Sequence, residues 1–570
     1  MSHQNRGKKT PSLEELSASD LMKMRFSKLE QKDPHECARE DLEELIKAAV
    51  TPAVQAMRRE RNAHVAINRL PAEVLREIFV TTCTVKLAEY RSEHYQCYIS
   101  TTVWNPTWID KGRAVSLMLV CHHWKEIALE IQELWSGIET YWEDEDHILL
   151  ERSGRGPLKV LACCDPLYEY AVTHALQNVE HSSRIQELYW IWPLTRHSRE
   201  HLGMPAPSLR SLALQNWTIP DGSLKLFDDH TPCLERLSLS NVNWLPSNAF
   251  VKLTFLALET CMVSKLPIKL RSLLAGTPNL VDLVLRNVSD SSYPHIRVEI
   301  GAAGMKPVSL TRLRRLLIEE MWSDDIDYVF RDAQLNEDAS VSIAHTQRDD
   351  DEQRLPEGVS SWSLNALKQP KELHFQSHVA IVVGASSGFR FEVWRCTTLE
   401  DWMAFNWPRI LPLSSISHLC MFELKAYKGR GLERVRNLLR QMTTLQTLSV
   451  NIDGLTQIVD IFTLFRDPTG PPLCPALTTL RIVIHHDRDC DIILHSILPR
   501  RAQLGIKHLD VGLIDPWSSE HWRPRQSVKK KMHGKFESMN FETLLYDKAY
   551  NITLPLVCSE EAHRLWPPWL

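Results

Sequence analysis

LRSLAL (209–214), LERLSL (234–239), LTFLAL (253–258), LVDLVL (280–285) and LRRLLI (313–318) are five copies of one pattern, Φ-x-x-Φ-x-Φ with Φ apolar. The pattern begins upstream at Leu158 (LKVLAC) and Ile185 (IQELYW). It returns downstream at Ile416 (ISHLCM), Leu445 (LQTLSV), Leu477 (LTTLRI) and Ile506 (IKHLDV). The intervals are roughly 19 to 33 residues, with one gap of about 100 between Leu313 and Ile416. Alternation at the last positions is the period of a short strand with one face buried. Such a strand cannot bury its face alone, so successive copies must stack. Proline stands shortly before many of them: Pro157, Pro207, Pro232, Pro278 and Pro475. LRSLLAGTPNL (270–280) gives the joint between two copies: a helical turn, a glycine stop, then the next strand. The expectation is an α/β chain whose residues 150–515 form a mostly parallel sheet with helical or irregular returns.

Pattern and spacing together resemble a leucine-rich repeat array in degenerate form. That family expects Asn or Cys three positions after the third apolar residue. Cys261 fits, whereas Asn216, Asn241 and Asn287 come one position early. The resemblance implies a solenoid with a curved, mostly parallel sheet. The alternative is a set of unrelated buried strands in an ordinary α/β domain.

The remaining organisation follows from composition. The chain has 570 residues, 44% hydrophobic and 24% charged, with a formal net charge of −5. This is globular composition with no global attraction to nucleic acid or anionic membrane. No apolar run approaches the ~18 residues of a membrane helix, and the polar N-terminus lacks a signal-peptide core. Thirteen scattered cysteines without a C-x-x-C fit reduced thiols, so the expected location is cytoplasmic and/or nuclear. Residues 1–33 are polar and expected to be disordered. Residues 34–66 are expected to form one or two amphipathic helices, with Pro52 as a break or a start. A helical module is expected over 67–140, interrupted by a polar, aromatic insertion at 84–113. The acidic stretch 332–358 reads as a solvated loop, and 516–570 as a C-terminal tail. That tail carries the basic cluster RPRQSVKKKMHGK (523–535), read as flexible and solvated.

In the helical module, INRLPAEVLREIFVTTC (67–83) places Pro71 for a first helical turn and Glu73 at the positive end of the helix dipole. Val74, Leu75, Ile78 and Phe79 then form one apolar face. VSLMLVCHHWKEIALEIQELWSGI (115–138) reads as one long helix. On a helical wheel Val120, Cys121, Trp124, Ile127, Ala128, Ile131, Leu134 and Trp135 fall in an arc of about 140°. The potential metal ligands Cys121, His122 and His123 diverge on that wheel, so no metal site is expected there.

Two other stretches mimic catalytic motifs. VAIVVGASSG (379–388) contains Gly384-Ala385-Ser386-Ser387-Gly388, which fits G-x-S-x-G and resembles the glycine turn of short-chain dehydrogenases. Both patterns need a helix directly after the glycines. Phe389, Phe391 and Val393 alternate with polar or bulky residues instead, which predicts a β-hairpin with a small-residue turn. A hydrolase or dehydrogenase around Gly384–Gly388 is the remote alternative. HHDRDCD (485–491) reads as a solvated turn.

Taken in order, Leu70-Pro71-x-Glu73-Val74-Leu75-x-x-Ile78-Phe79, then Val120-Cys121-x-x-Trp124-x-x-Ile127-Ala128, then Leu134-Trp135 resemble the F-box in its fungal form. The match covers about 70 residues and departs from compact F-boxes in the 84–113 insertion. It implies a helical module that docks on a Skp-type adaptor and, through it, a cullin scaffold of a ubiquitin ligase. The repeats would then bind an unknown protein substrate. Neither catalytic groups nor cofactors are implied. The adaptor-facing residues the resemblance implies are Leu70, Pro71, Val74, Leu75, Ile78, Phe79, Val120, Cys121, Trp124 and Trp135. A protein-interaction scaffold with a vestigial F-box is the alternative.

Overall fold

The computed structural model describes residues 39–87, 103–104, 106–139, 143–162, 178–191, 202–216, 223–291, 307–347, 355–376, 378–394, 407–422, 430–464, 473–514, 525–544, 552–560 and 562–569. The expected disorder at 1–33 and most of the 84–113 insertion lie outside these residues. The chain divides into two compact units. The first takes in Met1–Cys97, Pro106–Ile138 and Trp142–Lys159. The second takes in Tyr98–Asn105, Glu139–Tyr141 and Val160–Leu570.

The first unit is mainly helical. Arg39–Ala63 is a single helix with Pro52 inside it, so the expected break does not occur. Proline forfeits one hydrogen bond there, and the helix is long enough on both sides to continue. A helix Ala72–Cys83 starts at Pro71. The ends of the insertion pair as two short antiparallel strands, Thr84–Lys86 with Thr107–Ile109. Asp110 then caps the helix Lys111–Met118 by accepting from the Arg113 N–H at 3.1 Å. The long helix expected over 115–138 is in fact broken. Cys121 is extended (φ −162°, ψ 168°) and opens a second helix, His122–Glu130, followed by a 3-10 turn Gln132–Trp135. One core joins the pieces from Ala72 onward: Leu75, Phe79, Cys83, Ile109, Ala114, Ile127, Ala128, Ile131, Leu134, Trp135 and Leu149.

Mixed α/β architecture dominates the chain, with seventeen strands in one large, mostly parallel sheet. Each of the eleven Φ-x-x-Φ-x-Φ signatures opens one of its strands. In nine of them the first apolar residue sits just before the strand, whereas Leu158 and Ile185 are the first residues of theirs. Leu209, Leu234, Leu253, Leu280 and Leu313 each donate their N–H to the carbonyl three residues earlier. The other two apolar positions enter the core in ladders. Leu212, Leu237, Leu256, Leu283, Leu316 and Val341 are successive partners, as are Leu214, Leu239, Leu258, Leu285, Ile318 and Ile343. None of these is more than 1% exposed. At ~2 kcal/mol for each buried leucine, each rung of these ladders contributes favourably to the fold.

Two positions after the second ladder residue the chain turns left-handed, and in Phe255–Met262 and Asp282–Ser289 pairing resumes beyond the turn, at Cys261 with Val288. Asn216, Asn241, Thr260, Asn287, Glu320 and His345 all have φ between 49° and 59°. These follow residues that the register aligns: Gln215, Ser240, Glu259, Arg286, Glu319 and Ala344. Asparagine tolerates this conformation better than other L residues. That accounts for Asn216, Asn241 and Asn287 standing one position early, and the Asn241 amide donates to the Asn216 side-chain oxygen.

Four strands of the large sheet lie in the 100-residue gap among the described residues. Ser340–Ala344 lies within the stretch read as a solvated loop, yet it is wholly buried between Arg315–Glu319 and Gly388–Glu392. The alternation SVSIA outweighs the acidic flanks, while the Asp349–Glu352 run itself lies outside the described residues. Val379–Val383 runs antiparallel to both Gly388–Glu392 and Glu372–Phe375, giving the predicted hairpin. Glu372–Phe375 then pairs in parallel with His418–Met421. Strand order in space therefore reads 340, 388, 379, 372, 418, the one departure from chain order in the large sheet among the described residues. The expected tail at 516–570 is also corrected. Ser538–Leu544 adds a parallel strand beside His508–Ile514, and Gln526–Met532 in the basic cluster is a helix that buries Val528 and Met532.

Candidate docking surface of the helical unit

Of the ten residues singled out from the sequence, the structure buries three and exposes four. Leu75 and Phe79 are completely buried and Trp135 is 2% exposed, so these hold the unit together and cannot meet a partner directly. Their neighbours on the helix Ala72–Cys83 decide this. A face at i, i+1, i+4, i+5 is too wide to bury whole, and the side at Leu75 and Phe79 turns inward. Ile78, Cys121 and Trp124 are half-buried, and Leu70, Pro71, Val74 and Val120 are exposed.

Trp124 is the hinge between the two motifs. Its ring lies 4.9 Å from that of Phe79, and its indole N–H donates to the Asn68 side-chain oxygen at 2.6 Å. Trp135 donates its N–H to the Ala128 carbonyl at 3.0 Å, which ties the 3-10 turn back to the helix before it. Arg76 and Glu130 pair at 2.9 Å across the same two helices, but both are exposed and add little. Burial pushes the Cys83 thiol up to about 11, with Asp110 adding to the effect, so it is an inert core group.

Exposed apolar side chains gather in this unit. Sixteen large ones are exposed among the described residues, and ten belong to it: Ile46, Met57, Val65, Ile67, Leu70, Val74, Val115, Leu119, Val120 and Ile148. This concentration falls on the smaller unit and includes both motif-bearing segments. Leu119 is 80% exposed and Val120 57%, because the helix stops at Met118 and the chain at Leu119–Cys121 leaves the arc that the wheel assumed. Leu119 and Val115 were missed in the sequence. The signal was there: in VSLMLV (115–120) five of six residues are apolar, more than one side of a helix can bury.

The motif mimics resolve differently. Gly384–Ser387 is the turn of the hairpin, with the Gly384 N–H donating to the Ser387 carbonyl at 2.9 Å. Ser386 donates its hydroxyl to Asp338 at 2.5 Å, and Gly388 opens a strand rather than a helix. In HHDRDCD, Asp489 accepts the backbone N–H groups of His485 and His486, and Asp487 pairs with Arg525 at 2.9 Å. His122 pairs with Glu126 at 3.0 Å on its own helix. Among the described residues no three His, Cys, Asp or Glu side chains converge to hold a metal ion, and no helix is long and apolar enough to cross a membrane. No protein-family model and no curated protein sequence matches the chain.

Proposed function

We propose that this chain is a substrate-recruiting subunit of a Skp–cullin–F-box type ubiquitin ligase. The first unit would dock on the Skp-type adaptor as an F-box, and the second, a leucine-rich-repeat-like solenoid, would hold the protein substrate. One observation carries the reading: the exposed apolar side chains concentrate where the Leu-Pro and Val-Cys-x-x-Trp motifs lie. Apolar anchors left in water on a helical unit suit a partner that offers a groove. Chain-order ladders of aligned strands, with helices or arches between them, support the repeat half of the reading.

The test is capture of a purified Skp-type adaptor by the full chain. Wild type should bind it, and Val74→Asp combined with Leu119→Asp and Val120→Asp should lower the affinity at least tenfold with circular dichroism unchanged. No capture by wild type defeats the ligase role and leaves a scaffold. Capture that survives the triple substitution defeats the surface assignment.

A further inference from the structure

The second unit's sheet has two faces. One carries the leucine ladders. The other, in the middle of the sheet, is covered by the chain's own C-terminal residues 556–560 and 562–569. Register places Phe255, Asp282, Arg315 and Ser340 on successive strands in one row across that face. Gly388 continues the row, its N–H donating to the Ser340 hydroxyl at 3.1 Å.

The segment meets this row point by point. Arg315, held by Asp282 at 3.1 Å, pairs with Glu560 at 2.6 Å and donates to the Val557 carbonyl at 3.3 Å. Cys558 lies 3.2 Å from the Ser340 hydroxyl. His563 packs edge-on against Phe255, with ring centroids 5.7 Å apart, and Arg564 pairs with Glu259 at 3.3 Å. Trp566 and Trp569 follow at 5.9 Å from each other. Trp569 rests on Gly388 so closely that a Cβ there would lie 2.5 Å from its ring, and 3.0 Å from the Cys558 sulfur. The glycine that imitates a catalytic turn in the sequence is therefore where a tryptophan sits down.

The seat is not perfect. His563 Nδ1 and Trp569 Nε1 are buried without a hydrogen-bond partner among the described residues. The acid, the arginine and the rings use the means by which a receptor face holds a peptide: a buried arginine, a buried carboxylate and aromatic contacts.

We propose that this face is a peptide-binding site occupied in cis by residues 556–560 and 562–569. The partner it fits is a protein segment with the same chemistry: an acidic side chain for Arg315, an arginine for Glu259, and an aromatic ring for the seat over Gly388. The inference rests on the reading of the second unit as the half that recruits a protein, and it deepens that reading by naming the site and the class of ligand. A tethered segment competes at an effective concentration of about a millimolar, so the site is masked until a matching segment displaces it.

The probe is a synthetic peptide of residues 553–570, heavy-isotope labelled and fluorescent, added under reducing conditions to the full chain. With wild type, saturating peptide should raise hydrogen exchange of the chain's own residues 556–566 at least tenfold. Glu560→Lys, which sets a lysine against Arg315, should bind the peptide at least tenfold more tightly than wild type. Gly388→Ala should bind it no better than wild type, because its seat for Trp569 is filled. Exchange that does not change under excess peptide overturns the proposal, and it needs no variant that could misfold. Equal binding to wild type and Glu560→Lys also overturns it, since the peptide would then lie elsewhere. Adaptor capture run on the same protein keeps the two readings apart. Capture without peptide exchange defeats only the masked site, and exchange without capture defeats only the ligase role.

Discussion

Phe79 and Trp124 stack with ring centroids 4.9 Å apart and planes tilted by 54°, which binds the helix Ala72–Cys83 to the helix His122–Glu130. Phe79→Ala should therefore destabilise the helical unit by about 3–5 kcal/mol, the cost of an aromatic cavity. Val74→Asp and Val120→Asp, at exposed positions, should shift stability by only ~0.5 kcal/mol. Urea unfolding of the three variants checks this. An equally large loss from Val120→Asp would mean that the break at Leu119–Cys121 is misread.

Thr260 is a β-branched residue at φ 52°, in a row where asparagine is the better occupant. Left-handed backbone costs an L residue about 1–2 kcal/mol, so Thr260→Gly should stabilise the protein by up to ~1 kcal/mol after the entropy gained by the unfolded glycine chain. Thr260→Asn should stabilise by less. A lower thermal midpoint for both variants would show that the threonine side chain outweighs its backbone strain.

Arg271, 9% exposed on the helix Leu266–Ala275, donates one guanidinium nitrogen to the carbonyls of Tyr328, Val329 and Arg331. It thereby closes the C-terminal end of the helix Ser323–Phe330. Arg271→Met keeps the bulk and removes the donors. It should cost about 2–4 kcal/mol, because hydrogen bonds from a charged group are lost and carbonyls are left unpaired. The loss should show in denaturant unfolding, with faster hydrogen exchange in residues 323–332. A change below about 0.5 kcal/mol would mean that water replaces the guanidinium without penalty.

Stability should fall on acidification from pH 7.5 to 5. Burial holds His374 below the usual imidazole range. It takes His418 to about 4, helped by His374 and opposed by Glu372, and His563 to about 4, helped by Arg315 and Arg564. The unfolded chain binds these protons near 6.5 and the folded chain does not, so stability is lost as pH falls through that value and on toward 4. The loss should be about 2 kcal/mol by pH 5 for each of His418 and His563. Glu259 and Asp282, which burial raises above the carboxylate range, act in the opposite sense and trim the loss. A thermal midpoint that rises between pH 7.5 and 5 would contradict this sign.

The strands were legible because their signal is local. Six residues of Φ-x-x-Φ-x-Φ set both the turn before a strand and the side chains it buries, and in all eleven copies a strand begins within two residues of the start of the pattern. Signals that spread over a longer run were less secure. The wheel drawn through Val120 assumed one helix, and the extended backbone at Cys121 divides it, which puts Leu119 and Val120 in water. The candidate surface was thus only half readable: Leu70, Val74 and Val120 remain in it, while Leu75 and Phe79 are core. Both kinds are apolar letters on one helix, and only the neighbouring helix decides which of them it covers.

The sequence by itself determined where the strands begin, that they would align in parallel ladders, and that Gly384–Ser387 would be a hairpin turn. These follow from periodicity and from backbone preferences of a few adjacent residues. Tertiary structure alone decided that the hairpin inverts the strand order between Ser340–Ala344 and His418–Met421, that Ser538–Leu544 extends the sheet, and that residues 556–560 and 562–569 lie across its other face. Those outcomes depend on partners far apart in the chain, such as Arg315 with Glu560 and Gly388 with Trp569. No local propensity encodes which distant surface a segment will meet.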